Sequence, residues 1–283
     1  MRVDSHHHLW NRSVTPQDWI GEPLAAIDRD FVVEDLAAAA ATHVDRTVLV
    51  QTVCTLDETP LLLEYAQGSP LIGAVVGWVE LTAPDIRYTL SELTSLPNGC
   101  WLRGIRHQVQ GEIDPGWLER PEVVNGLRAV GEHGLVYEIL TLPHQLPAAI
   151  NAAEQLPEVQ FVLDHLSKPP IKNGSEEGRA AWASDLHRLA KLPNVCAKIS
   201  GLVTEADWES WTIADVRPVV ETAIEAFGPE RLMLGSDWPV CLLAASYEQV
   251  THLHGELLSG LSESDRARVL GDNAVAVYRI DGQ

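Results

Sequence analysis

Asp4, His6 and His8 occupy every second position of the stretch VDSHHHLW, residues 3–10. On an extended segment successive side chains take opposite faces, so these three share one direction while Ser5 and His7 take the other. At the strand rise per residue, His6 and His8 stand about 7 Å apart. Two imidazoles so placed can share one divalent metal. A purification-tag remnant would also supply three histidines, but not a strand that runs on into Leu9 and Trp10. The bland alternative is a pair of hydrogen-bonded polar residues, and other parts of the chain bear on the choice.

The segment VLDHLSKPP carries His165, and MLGSDWPV carries Asp237. An unpaired charge near the buried end of a strand is costly, so Asp237 needs a cation or several donors. Neutral histidines plus one carboxylate make an ordinary zinc shell with room for water. Taken singly, His165 reads as a core histidine and Asp237 as a helix cap. Together they point to a metal or catalytic centre of His6, His8, His165 and Asp237. WLRGIRHQ adds Arg103 and Arg106, which face opposite ways on a strand. Arg106, nearer the strand's end, is expected to grip a substrate carbonyl, carboxylate or hydroxyl, with an ion pair to a barrel carboxylate as the alternative. Lys198, Tyr137 and Glu138 are weaker candidates. Trp10, Trp19, Trp78, Trp117 and Trp238 fall near strand ends, where they could stack on a sugar ring or pack the core.

Positioning these residues requires strands. Eight apolar runs, at 2–9, 46–53, 71–79, 102–108, 135–142, 160–166, 195–203 and 231–237, mostly lack polar alternation. That suits strands covered on both faces of a parallel sheet. Segments with helical character, such as 32–43, 120–134 and 142–157, separate them. Eight strand–helix units within 283 residues predict a single-domain (β/α)8 TIM barrel. No GxGxxG follows the first strand, which disfavours a doubly wound dinucleotide fold. A further helix at about 262–278 has Ser262 as its N-cap. Irregular stretches 11–30, 110–120 and 167–174 follow strand carboxyl ends, the face where barrel enzymes keep their chemistry.

Twenty Lys and Arg against forty Asp and Glu give a net charge of −20. With no basic run, the chain is expected to bind neither nucleic acid nor membrane. Cys54, Cys100, Cys196 and Cys241 match no CxxC spacing and read as reduced core thiols. The absence of a charged-then-apolar leader predicts a cytoplasmic protein, either a monomer or a small homo-oligomer.

With these residues in place, the chain resembles the amidohydrolase superfamily, and most of all its branch of sugar-lactone hydrolases. The matching segments are DSHHHLW, LRGIRHQVQ, VLDHLSKPP, AKISGLV, RLMLGSDWPV and DNAVAVY. The resemblance implies hydrolysis of an aldonolactone to its sugar acid. It makes His6, His8, His165 and Asp237 the metal-shell or catalytic positions, with Asp237, His165 and Arg106 carrying the reaction. Arg103, His107, Tyr137, Trp10 and Lys168 are the expected substrate contacts. One divalent ion, zinc or else manganese, is implied; whether activity requires it is a separate question. A two-metal site is not expected, because the fifth strand offers Tyr137 and Glu138 in place of a histidine. The competing readings are nonoxidative decarboxylation of a small unsaturated or aromatic acid, and an inactive barrel that binds sugar acids.

Overall fold

Runs such as RTVLV and FVL, rich in β-branched residues and apolar at consecutive positions, can be strands only where both faces are covered. The computed structural model, which describes residues 1–40 and 42–280, provides that cover. Eight parallel strands form one sheet in chain order. They are β1 (Val3–His7), β2 (Arg46–Val50), β3 (Ile72–Gly77), β4 (Leu102–His107), β5 (Val136–Ile139), β6 (Phe161–Leu163), β7 (Val195–Ile199) and β8 (Leu232–Leu234). Beyond β8 the chain closes the ring against β1. Asp237 N donates to His6 O at 2.8 Å, and His8 N donates to Trp238 O at 2.7 Å. The expected (β/α)8 barrel is present.

The crossovers carry α1 (Val33–Ala40), α2 (Glu58–Gly68), α3 (Ile86–Ser95), α4 (Pro121–Glu132), α5 (Leu146–Gln155), α6 (Glu176–Ala190), the short α7 (Leu202–Glu205), α8 (Ile213–Phe227) and α9 (Tyr247–Leu257). Local chemistry sets their starts. Pro121 opens α4, and the Ser175 side chain accepts from Gly178 N at the head of α6. The single helix expected at 262–278 is instead α10 (Glu263–Ala267) and α11 (Asn273–Tyr278), joined by a π turn, with Ser262 the N-cap as expected. In that turn Gly271 packs on the chain start, where a Cβ would come within 2.0 Å of the Met1 carbonyl oxygen.

Two apolar layers result. One lies between the sheet and the helices. The other fills the barrel interior with Val48, Val76, Val162 and Met233, joined by Ala274 and Tyr278 of α11. α11 thus closes the barrel at the amino ends of its strands. Strand β6 stops at Leu163, just before the left-handed run His165–Lys168, and β8 stops at Leu234, short of the expected Asp237. Cys196 and Cys241 are buried thiols, but Cys54 and Cys100 are exposed, which corrects the core assignment for those two; all are free. No helix among the described residues is long and apolar enough to cross a membrane.

Candidate active site

His6 and His8 converge as their spacing predicts, with ring centroids 4.9 Å apart. Asp4 does not join them. The β1–β2 register shifts between Asp4 and His7, so Val3 joins the interior layer while Asp4 turns toward α9 and bonds the Tyr247 hydroxyl at 3.0 Å. The strict alternation read from the sequence fails at that irregularity. His7 points away from the pair, is fully buried, and is pushed down to about 3 by burial.

Asp237 arrives from the segment after β8 with φ 57°. Its Oδ1 lies 3.4 Å from His8 Nε2, 3.9 Å from His6 Nε2 and 4.0 Å from His165 Nε2. Burial raises its carboxyl, but the imidazoles of His165 and His8 outweigh that and hold it below the usual range. Burial pushes His165 down to about 4, so this imidazole is neutral at pH 7.

The hydrogen bonds fix which nitrogens are free. His8 Nδ1 lies 2.8 Å from the Val50 carbonyl oxygen, which can only accept, so Nδ1 carries the hydrogen and Nε2 faces Asp237. On a neutral ring that sets a lone pair against a carboxylate oxygen at 3.4 Å, an arrangement that calls for a cation: a proton on Nε2 or a metal ion. His6 Nδ1 lies 3.3 Å from Asp164 Oδ1, and its Nε2 faces the Arg106 Nη1 donor at 3.3 Å. Lys198 Nζ also lies 3.2 Å from Nδ1, so each His6 nitrogen faces a donor. With the hydrogen on Nδ1 toward Asp164, the Nε2 lone pair would go to a metal ion in place of Arg106. His6, His8 and Asp237 offer ligand atoms all within 4.8 Å of one another, and His6, Asp164 and His165 do the same. The donor set fits one divalent metal on the first group. On the second group, Arg106 and Lys198 already neutralise Asp164.

Beneath this cluster runs a buried charged column that the sequence did not disclose. Lys198 Nζ donates to Glu138 Oε1 at 2.6 Å and pairs with Asp164 Oδ1 at 3.2 Å. Tyr278 also donates to Glu138. Burial works to raise the Asp164 carboxyl, but Lys198, His6 and Arg106 drive it well below the usual range. Lys198 and Glu138, weak candidates by sequence, are thus supports of His6.

Of the other expected residues, Arg106 pairs with Asp164 Oδ2 at 3.0 Å, so the alternative role foreseen for it is met. Arg106 also borders a cavity of about 300 Å³, together with His8, His165, Lys168 and Asp237. The remaining four expected contacts lie elsewhere. Arg103, the second residue of β4, lines a separate cavity with Arg46 and Arg279, toward the amino ends of the strands. Tyr137 packs edge-on to Phe161 in the sheet–helix layer, because odd positions of β5 face outward. His107 accepts from Trp78 Nε1 at 3.0 Å, contacts Glu112 at 2.8 Å and stacks on Trp117. Trp10 is buried, donates to the Arg29 carbonyl and packs edge-on to Trp19, which reaches the cavity in its place.

Sequence reasoning missed Thr204, Glu205 and Trp208, which line the cavity from the segment after β7. Their only signal is their place after a strand's carboxyl end. It also missed Gly201, whose φ of 62° and close approach to His165 and Asp237 leave no room for a Cβ.

The model of the amidohydrolase family matches residues 3–280. The chain belongs to the amidohydrolase family. This amidohydrolase is 37% identical to an L-fucono-1,5-lactonase of Burkholderia multivorans, over 99% of this chain and 96% of that one. It is also 37% identical to an L-fucono-1,5-lactonase of Burkholderia ambifaria, with the same coverage. A crystal structure of an amidohydrolase from Burkholderia multivorans with bound Zn superposes with a TM-score of 0.92 at 36% identity, covering 99% of this chain and 100% of that one.

Proposed function

We propose that this amidohydrolase hydrolyses a sugar lactone, opening the ring ester to the corresponding aldonic acid. The observation that carries the reading is an ionised Asp237 set among three imidazoles at a cavity of about 300 Å³. That volume suits a small molecule. The 37% identity to an L-fucono-1,5-lactonase favours a lactone over other esters or amides.

Asp237 takes a proton from water as the oxygen adds to the lactone carbonyl. Neutral His165, with Nε2 4.0 Å from the carboxylate, is the adjacent group able to share that proton. Arg106, always charged and held by Asp164, borders the cavity, where its positive charge favours the negative charge that develops on the carbonyl oxygen. When the carbon–oxygen ring bond breaks, the ring oxygen recovers the proton by way of Asp237 and His165. Lys168 is the further substrate contact at this cavity. His6, His8 and Asp237 would hold one divalent ion, zinc or manganese, with His165 beside them. When bound, that ion supplies Lewis acidity to the oxygen it touches.

A pH-indicator screen of aldonolactones tests the reading. Acid release from a subset of sugars is expected. Silence across the panel, with carbon dioxide released from unsaturated or aromatic acids, would overturn it.

A further inference from the structure

Two charged side chains line the cavity outside the cluster just described. Lys168 Nζ and Glu205 Oε1 lie 3.6 Å apart, with the side chains 27% and 24% exposed. Both are held by their backbones. Lys168 ends a left-handed turn of four residues, His165–Lys168, with φ from 50° to 58°. L-residues avoid this conformation, so it persists only where surroundings impose it. Here Lys168 N donates to His165 O at 2.9 Å, Trp182 Nε1 donates to Leu166 O at 2.8 Å, and Ser167 Oγ bonds Thr141 Oγ1 at 2.9 Å. The turn brings His165 and Lys168 to one cavity. Glu205 closes α7, and its carbonyl accepts from Lys172 N at 3.1 Å, which ties the two loops together.

A partly exposed ion pair of this length contributes little stability. It uses one of an ammonium's three donors and one lone-pair site of a carboxylate, leaving hydrogen-bonding capacity on both. Outside Arg106 and the Asp237 cluster the rest of the wall is uncharged. Thr52, Thr204, Trp208, Trp19 and Gln108 spend donors on Glu58, Gly201, Thr204, Gln17 and Thr52, and Leu24, Leu140 and Leu243 offer only carbon. Hydroxyl groups are therefore best met at the Lys168–Glu205 wall.

We infer that Lys168 and Glu205 clamp two adjacent hydroxyls of the sugar lactone and thereby set which epimer is accepted, Lys168 donating to one hydroxyl oxygen and Glu205 accepting the other hydroxyl's proton. The inference rests on the lactonase reading. An epimer that turns one hydroxyl away leaves a charged partner unmatched in the closed complex, which is how hydrogen-bonding sites discriminate strongly.

The test compares kcat and KM of the wild type, Glu205→Gln and Lys168→Met on two aldonolactones that differ at one ring hydroxyl, with melting curves to verify folding. The clamp predicts that the wild type prefers one epimer by about tenfold or more in kcat/KM. The variant that has lost the partner of the differing hydroxyl should bring that ratio within about threefold of unity, chiefly by raising KM for the preferred epimer. The ratio cancels any influence of Lys168 on Asp237, because both substrates feel it equally. An active wild type without preference, an unchanged ratio in both variants, or an equal fall in kcat for both epimers would each overturn the clamp alone. A wild type inactive on every lactone would overturn the lactonase reading and the clamp with it.

Discussion

Asp4 Oδ2 accepts the Ser236 hydroxyl at 2.6 Å while its Oδ1 accepts the Ser236 amide at 2.8 Å, so the first strand grips the turn that carries Asp237. The Tyr247 hydroxyl at 3.0 Å and the His6 amide at 3.1 Å complete the shell of this buried carboxylate. Burial raises the Asp4 carboxyl and these donors oppose the rise. Asn at this position would turn an NH2 toward one set of donors. Asp4→Asn is therefore expected to lower stability by about 2 kcal/mol and to cut turnover by about tenfold or more through misplacement of Asp237. Thermal melts and steady-state kinetics check this; an unaltered melt with full activity would contradict it.

Gly201 makes a separate prediction. A Cβ there would lie 2.7 Å from His165 Nδ1 and 2.9 Å from Asp237 Oδ2, on a backbone with φ 62°. Gly201→Ala should cost about 1 kcal/mol for the left-handed conformation yet reduce kcat by about a hundredfold, because the side chains that must move are those of the site. Loss of stability without a change in kcat would be the contrary result.

The buried column beneath His6 predicts a pH dependence. Glu138 is pushed up to about 7, first by burial and then by Asp164, against the pull of Lys198 and Arg106. Its folded value lies above its ordinary 4.5, so between these values the folded chain holds a proton that the unfolded chain has lost. That contribution to stability is constant below the ordinary carboxylate range and falls as pH rises through the window. Glu138→Gln removes the titration. Its melting temperature should fall less than the wild type's between pH values of about 5 and about 7.5, and parallel curves would refute the assignment.

Metal binding is tested without activity. His8 presents Nε2 to Asp237 because Val50 holds Nδ1. The protein is expected to bind about one zinc per chain, and His8→Ala to bind it about a hundredfold more weakly, as read by competition with a chromophoric chelator. Equal affinity in both proteins would remove His8 from the site.

How much of this was legible follows from physical range. Strand–helix alternation is a local pattern, and the barrel was read from it. His6, His8, His165 and Asp237, which the structure brings together, stand out in the sequence because each combines an unusual residue type with a strand's carboxyl end. Arg103, Tyr137, His107 and Trp10 were misplaced because the direction of a side chain depends on strand register and length. A register shift in β1 likewise turned Asp4 away from His6. Glu138, Lys198 and Asp164 form one column only after β5, β6 and β7 are brought side by side, and nothing in their local sequence announces the meeting. Glu205 lay in a segment with no distinguishing composition.

On the proposed reading, Asp237 is the base that drives lactone opening. Its most direct test is acid release from the best aldonolactone of the screen by the wild type and by Asp237→Asn, at equal folded concentration confirmed by melting curves. A fall in kcat of about a thousandfold or more is expected, with the fold retained. Turnover within about tenfold of the wild type would contradict the assignment of Asp237 as the base.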